Sequence, residues 1–158
     1  MNINYLFPHR CKKIGLFILI PSLIFGFFML YLDFEPEFFD MNVFAISTDE
    51  IFRGQKHFVF TKNNILNEIV GILVILSSLL VAFSKEKNED EYILKIRLES
   101  LVWATYINYG ILFFAFLFFY DFSFLWIMIF NMFTILLFFI LRFNWQIRKL
   151  KKMEIYEE

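Results

Sequence analysis

The chain has 158 residues, a length that in a soluble protein would make one domain, yet 59% of them are hydrophobic against roughly 45–50% in an ordinary globular domain. Lys and Arg number 15 and Asp and Glu 16, so the balance implies no nucleic-acid partner, and one cysteine, Cys11, excludes an intramolecular disulfide. The 25 phenylalanines fit an AT-rich codon usage more readily than a special packing scheme.

Residues 1–13 carry Arg10, Lys12 and Lys13 and lead into an apolar run over 14–32. A basic stretch before an apolar run resembles a secretory leader, but the run exceeds the roughly 7–15 residues of a leader's core and no small-x-small site follows it. It therefore reads as an uncleaved first membrane helix, one of four: 14–32, 65–83, 101–120 and 124–141 hold 19, 19, 20 and 18 residues. A helix needs roughly 17–25 residues to cross a bilayer. The fold class expected is an all-α membrane protein with the lipid bilayer as its first partner. Pro21 removes a backbone donor inside the first helix and predicts a kink. Gly26 offers a place for a second helix to come close. Cys11 reads as an ordinary thiol, with lipidation the alternative in a eukaryote.

Residues 33–64 begin acidic, with Asp33, Glu35, Glu37 and Asp40. The stretches 41–46 and 57–61 are rich in β-branched and aromatic residues, with Ser47, Thr48, Asp49, Glu50 and Gly54 between them. This pattern predicts a small β-hairpin with a long connection. Asn64 is placed to cap the second helix, and Glu68 falls in its first turn, where the positive end of the helix dipole favours a carboxylate. Glu68 is also the one carboxylate inside an expected span, which makes it the candidate coupling group of a transporter. Gly71, Ser77 and Ser78 are small residues that favour close helix packing.

The third helix is expected to begin near residue 89, ahead of its membrane span. Asn88 and Glu91 have capping-box spacing, and Glu91/Lys95 and Lys95/Glu99 are i, i+4 pairs of opposite charge. The extension 89–100 offers Tyr92, Lys95 and Arg97 as a candidate partner surface. The turn 121–123 forces the third and fourth helices into an antiparallel hairpin. Counted from Phe122, Asn108 and Thr134 lie at similar depth, as do Glu99 and Arg142. These four are the candidate interhelical polar contacts, with Thr105 and Asn131 nearby. Residues 142–158 form a basic tail with Arg142, Arg148, Lys149, Lys151 and Lys152.

Charge sets the expected orientation. Residues 1–13, 84–100 and 142–158 share one side and hold twelve of the 15 basic residues; 33–64 and 121–123 hold three. The positive-inside rule puts the first side, with both termini, in the cytoplasm. Trp103 and Trp145 at the inner boundary, and Tyr31, Tyr120 and Trp126 at the outer one, agree with it.

No HExxH, GxSxG, phosphate-binding glycine loop or Cys/His metal spacing occurs, and no cofactor or metal is expected. An enzyme would have to rest on His9, Arg10 and Glu99 near the inner boundary, and His57 lies on the other side. The expectation is a non-enzymatic accessory or regulatory protein acting through protein partners or as a homo-oligomer. The alternative is a small dimeric transporter using Glu68.

The segments 85–92, 96–103 and 131–134, with Phe7, Pro8, His9 and Arg10, resemble small uncharacterised membrane proteins of Bacteroidota. That resemblance implies a bacterial cytoplasmic-membrane protein with four helices, and it implies no activity or catalytic residue.

Overall fold

A computed structural model describes residues 5–32, 34–50, 54–87 and 90–157, and side chains over 5–32, 34–47, 57–87 and 90–153. The elements run α1 (His9–Leu32), a one-turn 3-10 helix (Glu37–Phe39), β1 (Asp40–Glu50), β2 (Gly54–Asn64), α2 (Leu66–Ala82), α3 (Glu91–Phe118) and α4 (Asp121–Glu157). Among the described residues three helices, α1, α3 and α4, are long and apolar enough to cross a membrane. Helix α2 is the most apolar of the four but has 17 residues, about 25 Å at 1.5 Å per residue. The chain forms two compact units. One comprises the chain up to Leu19 together with Val74 onward, and the other is Ile20–Leu73.

In the first unit α3 and α4 form the expected antiparallel pair. The buried residues of α3 include Ile93, Ile96, Arg97, Ser100, Ala104 and Asn108, which recur at helical spacing on one stripe. Ser100 and Ala104 are fully buried, and their small side chains let α4 come near. Phe139 and Phe143 are buried on α4 with their rings stacked 5.7 Å apart, and Phe83 stacks on Phe139 at 6.0 Å. The expected start of α3 shifts. Asp90, not Asn88, supplies the cap, its carboxylate accepting from the Ile93 amide at 2.8 Å; Asn88 itself lies outside the described residues. The reversal between α3 and α4 is also tighter than 121–123. It uses Phe119 and Tyr120, and Asp121 opens α4 with a φ of 54°, a left-handed conformation that short polar residues tolerate best. No helix breaker separates the fourth apolar run from the basic residues after it, so α4 continues as one helix of 37 residues.

Helix α1 begins at His9, five residues before its apolar run, and continues through Pro21. Gly15 sits against the C-terminal half of α2. A methyl group there would lie 2.8 Å from Val81 Cγ2 and 3.0 Å from the Ser77 carbonyl.

In the second unit β1 and β2 pair antiparallel, from Asp40 opposite Asn64 to Glu50 opposite Gly54. The hairpin expected from 41–46 and 57–61 is present and longer than those stretches. Side chains alternate across a sheet, so one face carries Asp40, Asn42 and Phe44 opposite Asn64, Lys62 and Phe60, with Ile46 next along β1 and the Phe58 ring 6.4 Å from that of Phe44. Phe58 has a φ of 53°, unusual for a bulky residue. Gly26 of α1 faces Val70 of α2 within this unit, where an added methyl would stand 3.3 Å from Val70 Cγ1.

Candidate functional site

The largest concentration of buried charge among the described residues joins the N-terminal segment, the end of α2, α3 and α4. Phe7 pairs with Ser84 as a short parallel bridge: its amide donates to the Phe83 carbonyl and its own carbonyl accepts from the Lys85 amide, both at 2.9 Å. His9 Nδ1 lies 3.0 Å from the Lys85 carbonyl, as a donor to it in the tautomer that carries a proton there. One turn further along α1, Lys12 forms an ion pair with Glu86, both side chains nearly buried. A buried ion pair of this kind is costly to break from one side, because the remaining charge is left without compensation.

Arg97 completes the cluster from α3. Its Nη1 donates to the Ala82 carbonyl at 2.8 Å and its Nη2 to the Ser84 carbonyl at 3.2 Å. Ala82 is the last residue of α2, so the guanidinium closes the C-terminal end of that helix, where carbonyls lack helical partners and the dipole is negative. The guanidinium also lies over the Phe143 ring at 4.5 Å, and Lys12 Nζ stands 5.5 Å from the same ring. Arg97 is thus buried and committed to joining α2, α3 and α4, which removes it from the expected partner surface. Tyr92 and Lys95 remain exposed on α3.

A second polar cluster lies within the α3–α4 hairpin. Asn108 Nδ2 donates to Asn131 Oδ1 at 3.2 Å, and Asn131 Nδ2 donates to the Asn108 carbonyl at 3.3 Å. The Thr134 hydroxyl is in reach of Asn108 Oδ1 and of the Asn131 carbonyl, and donates to one of them at a time. Asn108 and Thr134, matched in depth by counting from the turn, therefore meet, with Asn131 as the third member. Thr105 instead turns its hydroxyl back to the Leu101 carbonyl of its own helix. Glu99 and Arg142 form no ion pair among the described residues. Arg142 lies over the Trp103 ring at 4.7 Å, and Glu99 faces outward. Counting depth along two helices aligns residues axially but does not say which way each faces around its helix.

Glu68 belongs to a third cluster, at the base of the hairpin. Here Glu35, Asp40, Lys62, Asn63, Asn64, Asn67 and Glu68 line a cleft of about 270 Å³. Amide donors occupy the carboxylates: Asn63 Nδ2 reaches Glu68 Oε1 at 2.9 Å, Asn64 Nδ2 reaches Asp40 Oδ1 at 3.0 Å, and Asn67 Nδ2 reaches Glu35 Oε1 at 3.5 Å. Asn64 also caps α2 as expected, its Oδ1 accepting from the Leu66 amide at 3.2 Å. Lys62 pairs with Asp40 at 3.1 Å. The hydrogen bond from Lys62, and then that from Asn64, hold the Asp40 carboxyl below the usual aspartate value. The arrangement stitches strand ends to a helix start. Among the described residues no group of three or more His, Cys, Asp or Glu side chains is arranged to hold a metal ion.

Sequence reasoning missed Glu86, Lys12 and Gly15 as partners in one assembly. The only signal was that Lys12, Glu86 and Arg97 fall on the same predicted side of the membrane. Of the three residues an enzyme would have to rest on, His9 is engaged with the Lys85 carbonyl, and Glu99 and Arg10 are exposed. Compared with known protein families, with curated proteins and with solved structures, the chain matches none.

Proposed function

We propose that this chain is a multi-pass protein of a bacterial cytoplasmic membrane, spanning it four times with both termini inside, and that it acts as a non-enzymatic accessory or regulatory protein through protein partners. The kinship with small Bacteroidota membrane proteins belongs to the same proposal. Twelve of 15 basic residues on one set of alternating segments support the orientation. Helix α2 supports the fourth span if it crosses close to the membrane normal, since its 17 residues are near the lower limit for a span.

The observation that carries the functional reading is the division of polar residues at the start of α3. Ile93, Ile96, Arg97 and Ser100 are buried, whereas Tyr92, Lys95, Leu98 and Glu99 form an exposed stripe on the other side of the same helix. Tyr92 and Leu98 supply an apolar centre and Lys95 and Glu99 a polar rim, an arrangement that suits a protein contact. The basic residues at the end of α4, Arg148, Lys149, Lys151 and Lys152, are exposed as well. The transport reading is weakened by the position of Glu68, which is exposed in the first turn of α2 and tied to Asn63.

In-cell photo-cross-linking from position 95 tests the proposal. The expected result is one reproducible partner, lost when Tyr92 and Leu98 are both replaced by alanine. No cross-link, or only cross-links between copies of this chain, would overturn it.

A further inference from the structure

We propose that the hairpin β1–β2 is a self-association surface, through which two copies of this chain pack their phenylalanine faces together. Four large apolar residues stand side by side on one face and are uncovered: Phe44 is 56% exposed, Ile46 66%, Phe58 73% and Phe60 73%. Phe44 meets Phe60 at 5.4 Å and Phe58 at 6.4 Å, so three of the four form one continuous aromatic surface. A two-stranded sheet is marginal in water by itself, and its stability rises when an apolar face is covered.

The polar frame of the patch decides between a bilayer and a protein as its cover. On the same face, the rungs Asp40–Asn64 and Asn42–Lys62 precede the patch. Laying this face on lipid would press Asp40, Asn42 and Lys62 toward the acyl chains together with the phenylalanines, and charged groups there are expensive. An apolar centre with a polar rim is instead the anatomy of a protein interface. A second copy fits by size. With each of the four residues presenting on the order of 100–150 Å², two such faces bury about 1,000 Å² in total, the level at which a specific interface begins. Both copies are also confined to the same membrane, which raises their effective concentration and lets a modest interface suffice. Each hairpin brings one Asp40–Lys62 pair to the rim, so the two rims meet without net like charge.

The test uses the full chain in lipid nanodiscs with Cys11→Ser as background. Ile46→Cys on the phenylalanine face should give a disulfide-linked dimer on mild oxidation. Ala45→Cys, one residue away on the opposite face, should give at least fivefold less. Adding Phe44→Ser and Phe60→Ser should abolish the Ile46→Cys dimer and leave helix content unchanged, because both rings are exposed in one copy. A chain monomeric by native mass spectrometry with uncross-linked Ile46→Cys overturns the proposal, and so does equal cross-linking from Ala45→Cys. Quenching of a fluorophore at position 46 by brominated lipid also overturns it, since the bilayer would then cover the face. Should the serine variant fail to fold, the comparison of Ile46→Cys with Ala45→Cys still decides. The experiment at position 95 concerns a different surface, so either proposal can fail without the other.

Discussion

Arg97 shows how one side chain can hold three elements. It bonds two carbonyls at the exit of α2 while its flat face rests on Phe143 of α4. Lysine offers a point charge without the fork that reaches two acceptors at once. Arg97→Lys should therefore lower stability by about 1–2 kcal/mol and Arg97→Ala by more, roughly 3–5 kcal/mol, as the carbonyls lose their donors. Thermal unfolding in detergent checks the order of the two. The Lys12–Glu86 pair obeys the same logic. Glu86→Leu alone strands a buried ammonium and should cost about 3–5 kcal/mol, whereas Lys12→Met combined with Glu86→Leu should recover most of that loss. Asp40 gives a pH signature. Its carboxyl is held low by Lys62 and Asn64, so the folded hairpin favours the ionised form. That contribution is complete above the ordinary aspartate value and declines as pH falls through the lowered one. Carboxyl NMR titration should find Asp40 below the ordinary value, and Lys62→Met should move it upward.

Small residues set the closest approaches between α1 and α2 in this protein. Gly15 is the sharpest case. A methyl there would overlap Val81 and press on the Ser77 carbonyl, which is backbone and cannot turn aside. Gly15→Ala should destabilise by about 1–3 kcal/mol, the usual range for overpacking, and Gly26→Ala by less, because its nearest neighbour is a side-chain methyl at 3.3 Å. The same melting experiment ranks them. The period of apolar residues made the helices legible, and the β-branched and aromatic stretches made the hairpin legible. Gly15 was not, because a glycine's role depends on which helix passes it. Arg97 was misread for a related reason: a charged residue in a charged segment looks exposed until the element that covers it is known.

At the scale of the molecule, the proposed topology places Ser47 outside and Lys87 inside. In a Cys11→Ser background, an impermeant maleimide should label Ser47→Cys in intact spheroplasts, and Lys87→Cys only after the membrane is opened. Reversed labelling would refute the orientation. Sequence alone determined the apolar helices, the hairpin between the first two, and the antiparallel pairing of the last two. These follow from local periodicity, chain length and a short turn, all properties of neighbours along the chain. It also brought Asn108 and Thr134 to one depth. Tertiary structure alone decided that Asn131 joins them, that Arg142 lies on Trp103 rather than against Glu99, and that Lys12, Glu86 and Arg97 converge at the end of α2. The physical reason is rotational: axial position can be counted from a turn, but the direction a side chain takes around its helix is set by what packs against it.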